Sequence, residues 1–492
     1  MSYYIGFDLG TSSVKLCLTD GKGKLIKEVN KSYELLQPVQ GWKEIDPETW
    51  WEKSCEAMQE LLEDVEREKV CGIGVTGQMH TLILLDEQGG NIRPALMWND
   101  TRTAELIPRL IEAVQGTDVE YLTRIISTGS PAANLLWVKE NEPDNYRKIK
   151  KFLIGPDYIV YRLTGKYGTD YCEASTSSMY DTKKKCWSPV LREFLGLEEE
   201  VYPEVKGSTE IAGLIRPELA KQFGINQSTV VIVGTGDNPA ASIPTGCLGK
   251  NYPVFSMGTS GVLMFPRKEL DYNAKGKNIL FGFDREHCNI LVQGVVQSCG
   301  STFSWWNLEI MQNKGFLHID SMFDPEKLGE GTLLFYPHLV GDKTIYADPT
   351  LRGAFIGLST DTTREEMTLA VMEGIAFALK QLAQEIRLDD AGLKELKVIG
   401  GGAKSNIWMQ ILADVMGVKI AQMGGEGGAG YGIALLAAYV CGEIESIEKI
   451  SEHAVKVRTY FYPREKSKKL YEKKYQKYMN IHDALSFINN NV

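Results

Sequence analysis

Two β-hairpins of the same form, one in each half of the chain, constrain the fold more than any other feature. In the first, a predicted strand at residues 3–8 enters the turn Leu9-Gly10-Thr11-Ser12-Ser13 and returns as a second strand. In the second, a strand at residues 254–257 enters Gly258-Thr259-Ser260-Gly261 and also returns. Two diverged copies of one strand–turn–strand unit are much less expected by chance than a single copy. The repeat therefore predicts a fold built from two similar halves.

The length of the chain agrees with two domains. A chain of 492 residues exceeds what one hydrophobic core usually serves. Residues 246–253 contain three turn-forming residues and lie between the two hairpins, which makes them the candidate boundary. We therefore predict an N-terminal domain at residues 1–246 and a C-terminal domain at residues 247–492.

Composition and charge exclude several classes of function. The apolar content of 43% and charged content of 24% are typical of a soluble globular protein, and the net charge of −10 argues against nucleic acid or an anionic membrane as a partner. No apolar run approaches the ~20 residues that span a bilayer, and the first residues lack the pattern of a secretory signal. The nine cysteines are scattered, with no Cys-x-x-Cys pair. They predict reduced thiols in the cytoplasm rather than a disulfide framework or a zinc site.

The first hairpin carries a candidate phosphate and metal site. Its turn is dense in backbone N–H and hydroxyl donors, which can surround a phosphate. Asp8 stands at the start of the turn, where a carboxylate can hold Mg²⁺ directly or through water. A plain hairpin with hydroxyl residues in its turn stays open as the alternative.

A third strand end lies at residues 230–240. Four β-branched residues at 230–233 predict a buried strand, Gly234 and Gly236 end it, and Pro239 suits the first turn of a helix. Asp237 and Asn238 then lie where open α/β sheets bind ligands. The alternative is that Asp237 only caps the helix.

Other polar groups follow predicted strands. Gln78-Met79-His80 follows a strand at residues 70–75, and Trp98-Asn99-Asp100 follows another. The strand at residues 396–399 runs into Gly400-Gly401-Gly402-Ala403, where a phosphate or a flat ligand can approach the backbone. This run matches neither the dinucleotide-binding fingerprint nor a Walker loop. Residues 171–180 are predicted as a polar loop, and the lysine-rich residues 460–479 as a solvated helix.

Together these features favour phosphoryl transfer. Such chemistry needs backbone donors and Mg²⁺ to neutralise phosphates, and one carboxylate to orient or deprotonate a hydroxyl. The sequence offers no Ser–His–Asp arrangement and no transition-metal cluster as a competing chemistry.

The motifs resemble the carbohydrate kinases of the glycerol kinase and xylulokinase type, which share their fold with actin and a class of heat-shock chaperones. One family signature is similar to residues 353–358 and 366–373, and another to residues 129–141, where Asn134 replaces the usual lysine. Gly77-Gln78-Met79-His80 and Trp98-Asn99-Asp100 resemble the xylulokinase branch. The resemblance extends from Asp8 to about Val440. It implies an α/β fold of two actin-like (ribonuclease H-like) domains, with mixed β-sheets flanked by helices and a ligand cleft between the domains.

The resemblance also implies roles for individual residues. Asp237 is the expected general base, and it would hold Mg²⁺ together with Asp8. The expected sugar-binding residues are Gln78, Met79, His80, Trp98, Asn99, Asp100 and Asn238. The expected ATP-binding residues are Gly10, Thr11, Ser12, Ser13, Lys15, Gly258, Thr259, Gly300, Gly401, Gly402, Ala403 and Asn406.

The implied activity is ATP- and Mg²⁺-dependent phosphorylation of D-xylulose at its 5-position. A different ketose such as ribulose, gluconate or a polyol is the alternative within the family, and a nucleotide-binding switch or scaffold is the alternative outside it. The implied partner is a small sugar, with neither nucleic acid nor membrane, and a homodimer is compatible with the resemblance.

Overall fold

The computed structural model describes residues 2–247, 253–271, 273–282, 288–313, 319–348, 350–388, 392–425, 428–446, 449–450 and 454–489. The strands in this part of the chain are β1 (Tyr3–Leu9), β2 (Ser13–Asp20), β3 (Leu25–Ser32), β4 (Glu44–Ile45), β5 (Val70–Gly77), β6 (Leu82–Leu85), β7 (Ala95–Leu96), β8 (Lys151–Ile154), β9 (Thr169–Asp170), β10 (Tyr180–Asp181), β11 (Cys186–Trp187), β12 (Val205–Lys206), β13 (Ile211–Leu214), β14 (Val230–Ile232), β15 (Thr235–Gly236), β16 (Val254–Met257), β17 (Gly261–Arg267), β18 (Lys277–Gly282), β19 (Cys288–Val296), β20 (Leu334–Tyr336), β21 (Ala354–Ile356), β22 (Glu395–Ile399), β23 (Lys419–Gly425) and β24 (Val455–Phe461).

The α-helices in the same residues are α1 (Pro47–Leu61), α2 (Ile107–Val114), α3 (Pro131–Asn141), α4 (Pro143–Lys148), α5 (Asp157–Thr164), α6 (Tyr171–Thr176), α7 (Pro189–Leu195), α8 (Pro217–Phe223), α9 (Asp237–Ser242), α10 (Gly300–Ser304), α11 (Arg364–Glu385), α12 (Asn406–Met416), α13 (Ala429–Val440), α14 (Glu465–Met479) and α15 (Ile481–Asn489). No helix among the described residues is both long enough and apolar enough to cross a membrane.

Contacts between residues divide the chain into two compact units. Unit 1 consists of residues 1–250, 279–291 and 426–455, and unit 2 of residues 251–278, 292–425 and 456–492. The division of the sequence at residues 246 and 247 stays a prediction, because short segments of the second half are assigned to unit 1 by these contacts.

The large sheet of unit 1 has mixed strand directions. Its order is β13-β14-β5-β1-β2-β3, with β15 also paired to β5. Strands β1, β14 and β15 run parallel to β5 at the centre. Strand β13 runs antiparallel to β14, and β1, β2 and β3 form an antiparallel meander. The central strands β1 and β5 bury nearly every side chain. Their β-branched and aromatic composition is typical of a sheet that is covered on both faces.

Helix α13 packs unusually close to β1 because glycines face each other at the contact. A Cβ atom built on Gly6 would lie 1.8 Å from the carbonyl oxygen of Gly430. Since no larger residue fits there, the helix backbone reaches the strand that carries Asp8. A Cβ atom on Gly430 would lie 3.3 Å from the Cβ atom of Asp8.

The second large sheet repeats the form of the first. Its order is β18-β19-β17-β16-β22-β23-β24. Strands β16 and β17 form an antiparallel hairpin, and β22 runs parallel to β16 in the place that β5 takes beside β1. The two hairpins that the sequence predicts are therefore confirmed, and so are the mixed sheets.

One prediction about an element was wrong, and another was correct only in part. Residues 171–176 form α6, every residue of which is buried, rather than a polar loop. Within residues 460–479 the predicted helix is confirmed as α14, although the first residues belong to β24. The helix is not solvated on all sides, because one face packs inside unit 2 through Tyr471, Tyr475 and Tyr478. The lysines that suggested a solvated helix occupy mainly its opposite face.

Candidate active site

Three parallel strands of unit 1 end side by side and place the first candidate residues. Asp8 on β1 pairs in register with Thr76 on β5, and Thr76 pairs with Thr235 on β15. Since neighbouring strands lie about 4.8 Å apart, β1 and β15 are separated by about 10 Å at this edge. Asp237 follows β15 directly, so the two predicted metal-binding carboxylates belong to one edge of one sheet.

The residue that caps α9 is Gly236, and Asp237 is the first residue of the helix. The alternative that Asp237 is only an N-cap is therefore wrong. A cap must lie outside the helix to accept a hydrogen bond from its first turn.

The first hairpin forms the tight turn that its sequence predicts. The Gly10 N–H donates to the Ser13 carbonyl at 2.9 Å, while Ser12 is exposed. Lys15 lies directly across the ladder from Asp8. Burial raises the pKa of Asp8, and Lys15 and a backbone hydrogen bond from Gly430 oppose that rise. A cation placed beside this carboxylate would compensate for its desolvation.

The segment Gln78-Met79-His80 lies beside Asn238. The Gln78 N–H donates to the Leu9 carbonyl at 2.8 Å, which continues the pairing of β5 and β1 beyond the strand end. The Asn238 Nδ2 atom lies 3.6 Å from the Met79 sulfur. His80 has a φ of 73°, a left-handed conformation that is uncommon for a residue other than glycine. Unit 1 thus brings together these predicted sugar-binding residues and the segment of Asp237.

Trp98 connects a second predicted sugar-binding segment to the first hairpin. Its indole Nε1–H donates to the Thr11 hydroxyl at 3.1 Å, and its side chain stays 37% exposed. Its backbone N–H donates to Thr81 at 3.3 Å. Asn99 follows at a half-buried position. The predicted sugar-binding and phosphate-binding residues of unit 1 therefore meet at Trp98 and Thr11.

The carboxylate oxygens of Asp100 already accept hydrogen bonds from neighbouring residues of the protein. Arg102 donates to both of its carboxylate oxygens, at 2.9 and 2.7 Å, and the Lys43 N–H donates at 2.6 Å. The Arg102 guanidinium also stacks 3.9 Å above the ring of Trp42. The role of Asp100 in binding sugar stays a prediction. A direct contact between its carboxylate and the sugar would compete with these hydrogen bonds.

Sequence reasoning missed a group of buried carboxyls behind this region, formed by Asp157, Asp170 and Glu173. Burial raises the pKa of Asp170 to about 6. Burial, followed by the negative charges of Asp170 and Asp157, raises the pKa of Glu173 well above its ordinary range. Burial does the same to Asp157. The available signal was Asp170 three residues before Glu173, a spacing typical of a helix N-terminus.

In unit 2, the second hairpin has an exposed turn, and a glycine packs closely against the backbone of that turn. The Gly258 N–H donates to the Ser260 carbonyl at 3.1 Å, and Gly258 and Thr259 are both exposed. The N–H groups of Gly300 and Ser301 at the start of α10 donate to the Gly258 and Thr259 carbonyls. A Cβ atom on Gly300 would lie 2.2 Å from the Gly258 oxygen. The predicted ATP-binding residues Gly258, Thr259 and Gly300 are thus adjacent.

The glycine run after β22 forms the other candidate ATP-binding surface of unit 2. Gly400 has a φ of 97°, and a Cβ atom there would lie 2.5 Å from the Met257 oxygen. Gly401, in contrast, is exposed, with no atom within 4 Å of a Cβ position. A planar ligand can therefore approach its backbone.

Asn406 lies at the end of the same surface, four residues after Gly402. Its backbone N–H donates to Asp320 at 2.7 Å, and its side-chain oxygen accepts from Gln422 at 3.2 Å. Gln422 also donates to the carbonyl of the buried Ala403 at 2.6 Å. These bonds fix the residues that follow Gly401 and Gly402.

The donor set at the strand edge of unit 1 suits a hard cation. Within the described residues, no group of three or more His, Cys, Asp or Glu side chains is arranged to hold a metal ion. The carboxylates of Asp8 and Asp237 are oxygen ligands, which Mg²⁺ prefers, and Mg²⁺ takes few ligands from protein because it keeps waters and binds substrate phosphates. The residues present fit Mg²⁺ better than a transition metal.

Comparisons with known proteins agree with this arrangement. The N-terminal domain of the FGGY family of carbohydrate kinases matches residues 3–244, and its C-terminal domain matches residues 254–441. The two matched domains together give the two-domain α/β fold of that class. The chain belongs to the FGGY family of carbohydrate kinases.

Individual relatives narrow the comparison. The chain is 32% identical to the xylulose kinase of Bacillus subtilis (strain 168), over 99% of this chain and 98% of that protein. A crystal structure described as a "xyloylose kinase" from Brucella ovis matches with a TM-score of 0.88 and 30% identity, over 99% of this chain and 100% of that one. The gluconate kinase of Lactobacillus acidophilus matches with a TM-score of 0.85 and 25% identity, over 98% of both chains.

These matches confirm the expected actin-like α/β fold and the enzyme class. The protein is a sugar kinase, and ATP is its co-substrate.

Proposed function

We propose that the protein phosphorylates D-xylulose at its 5-hydroxyl group, with ATP as the phosphoryl donor. The observation that carries the proposal is the proximity of Gln78-Met79-His80 to the segment Asp237-Asn238 in unit 1. Xylulose kinases at about 30% identity over nearly the full chain support the choice of sugar.

Asp237 is the proposed general base. It begins α9 at the carboxyl end of β15, where the side chain can reach a ligand above the sheet edge. Its carboxylate would accept the proton of the attacking hydroxyl as the new P–O bond forms. Asn238, Met79 and His80 would orient the sugar, with Gln78, Trp98, Asn99 and Asp100 around them.

Asp8 and Asp237 are the proposed protein ligands of Mg²⁺. The raised pKa of Asp8, caused by burial, is consistent with a carboxylate that gains from a nearby cation. Bound Mg²⁺ would neutralise charge on the phosphates of ATP.

The proposed ATP-binding residues are distributed over both units. In unit 1 they are Gly10, Thr11, Ser12, Ser13 and Lys15, which surround the first turn. In unit 2 they are Gly258, Thr259, Gly300, Gly401, Gly402, Ala403 and Asn406, which form the second turn and the glycine run.

Two further proposals concern the location of the protein in the cell and its partners. Eight cysteines among the described residues are free thiols, which supports a location in the cytoplasm. The net charge of −10 supports the absence of a nucleic acid partner. A homodimer stays a prediction.

The substrate is tested with a panel of D-xylulose, D-ribulose, D-gluconate and glycerol. We expect the highest kcat/KM with D-xylulose, by at least about tenfold, because a misplaced hydroxyl leaves buried polar groups unpaired. The measurement is ADP release coupled to detection of the sugar phosphate, with the same sugar raising Tm. A higher kcat/KM for gluconate or ribulose than for D-xylulose would show that the proposed substrate is wrong. ATP turnover without a phosphorylated product would favour the nucleotide-binding switch.

A further inference from the structure

We propose that Glu173 is a positioning residue that holds the sugar-contacting segment Gln78-Met79-His80 against the segment that leads to Asp237. The proposal rests on the proposed function, because it takes His80 and Met79 to line the sugar pocket. Glu173 lies on α6, an element that the sequence did not predict.

The first contact of Glu173 is with the backbone of His80. The His80 N–H donates to the Glu173 Oε2 atom at 3.2 Å. His80 has a φ of 73°, a left-handed conformation that is sparsely populated by residues other than glycine and is therefore strained. A strained backbone persists only where its surroundings fix it. The hydrogen bond to Glu173 is one such restraint.

The second contact is with the segment that carries the base. A Cβ atom built on Gly236 would lie 3.1 Å from the Glu173 Oε1 atom, 2.9 Å from the Cys172 sulfur and 2.7 Å from Met79 Cγ. A side chain at this position would force Met79 and Cys172 to move. One carboxyl group therefore accepts from the backbone of His80 and also fills the space beside Gly236, the residue immediately before Asp237.

Glu173 is itself firmly placed. Its backbone N–H donates at 2.9 Å to Asp170, which caps α6. Its side chain is fully buried, with a relative exposure of 1% for the residue. Since a buried long side chain has few alternative rotamers, its carboxyl oxygens act as fixed points between the two segments.

The expected consequence of losing this acceptor is a looser sugar pocket. The His80 N–H would lose its partner, and the left-handed conformation would lose one of its restraints. ATP binding should be unaffected, because neither contact involves the turn at Gly10 or the glycine run of unit 2.

The test compares Glu173→Met with Glu173→Gln. Methionine keeps the length of the side chain and removes the acceptor, whereas glutamine keeps an oxygen that the His80 N–H can use. We expect Glu173→Met to raise the KM for the best sugar of the panel about tenfold, the effect of losing one buried hydrogen bond, with the KM for ATP unchanged. We expect Glu173→Gln to restore a KM near that of the unmodified protein. Equal sugar KM values for Glu173→Met and the unmodified chain would overturn the proposal.

A matched control is Thr176→Val on the same helix. The Thr176 hydroxyl donates to the Cys172 carbonyl at 2.8 Å, within α6. The same hydroxyl lies 3.4 Å from the Glu173 carbonyl oxygen. Thr176→Val therefore perturbs the backbone bonds of α6 without removing the contacts of the Glu173 carboxyl group. A rise in sugar KM as large as that of Glu173→Met would show a general effect of α6 and overturn the positioning role.

A second readout needs no substrate. In Glu173→Met, amide hydrogen exchange at residues 78–80 should become faster in the ligand-free protein, and in Thr176→Val it should not. Unchanged exchange would overturn the proposal even if D-xylulose is the substrate. Conversely, faster exchange would support the positioning role even if the panel selects another sugar, so the two proposals fail separately.

Discussion

Asp100 illustrates how a polar side chain beside a candidate site can belong to the fold. Its two oxygens accept from Arg102, which is itself buried and also contacts Glu44 at 2.8 Å. A buried charge that loses its partner is costly, whereas an exposed ion pair contributes little. The arrangement therefore assigns Asp100 a large part in stability whatever its contact with sugar.

Replacing Asp100 by alanine separates these roles. We expect the free energy of unfolding to fall by about 3–5 kcal/mol, because Arg102 is left buried with one partner fewer. Denaturant unfolding measures the change. The control is Asp144→Ala, which removes an exposed ion pair with Arg147 and should change stability by less than about 1 kcal/mol. If Asp100→Ala leaves stability unchanged and raises only the sugar KM, its main role is substrate binding.

Single positions differed in how far the sequence could predict them. Asp8 and Asp237 could be placed because strand composition predicts β1 and β14, and glycine follows each of these strands. The short strand β15, which directly precedes Asp237, was not predicted. The function of Glu173 could not, because its partner is a backbone N–H 93 residues away and the pattern of residues 171–180 suggested a loop. Local propensity carries no information about such a pairing.

Among elements, α14 shows how burial of one face fixes a lysine-rich helix within unit 2. Lys474 donates to Glu373 on α11, and Tyr471 donates to the same carboxylate at 2.9 Å. Both charged side chains are buried. The lysine-rich composition predicted a solvated helix because composition does not show which face of α14 packs.

The packing of α14 predicts a sharp difference between neighbouring lysines. We expect Lys474→Ala to lower the free energy of unfolding by about 3–5 kcal/mol, since Glu373 would stay buried without its cation. Lys473→Ala alters an exposed residue on the same helix and should change it by less than about 0.5 kcal/mol. Thermal unfolding of the two variants provides the comparison. Equal Tm values would contradict the structural role of the buried pair.

At the scale of the whole molecule, the duplicated hairpin predicted the repeated architecture. A hairpin beside a parallel strand occurs in both large sheets, as β1–β2 with β5 and as β16–β17 with β22. The segments that join unit 1 from the second half, residues 279–291 and 426–455, could not be predicted, because the long-range contacts that assign them are not visible in local patterns. Membership in the carbohydrate kinases follows from both halves together.

The proposed role of Asp237 is to remove the proton of the sugar hydroxyl during phosphoryl transfer from ATP. The most direct test is the single-turnover rate of sugar phosphate formation in Asp237→Asn, with ATP binding measured separately. We expect a rate lower by about 10²–10⁴-fold, the usual contribution of a general base, with ATP binding retained and the fold intact. A rate near that of the unmodified protein would contradict it.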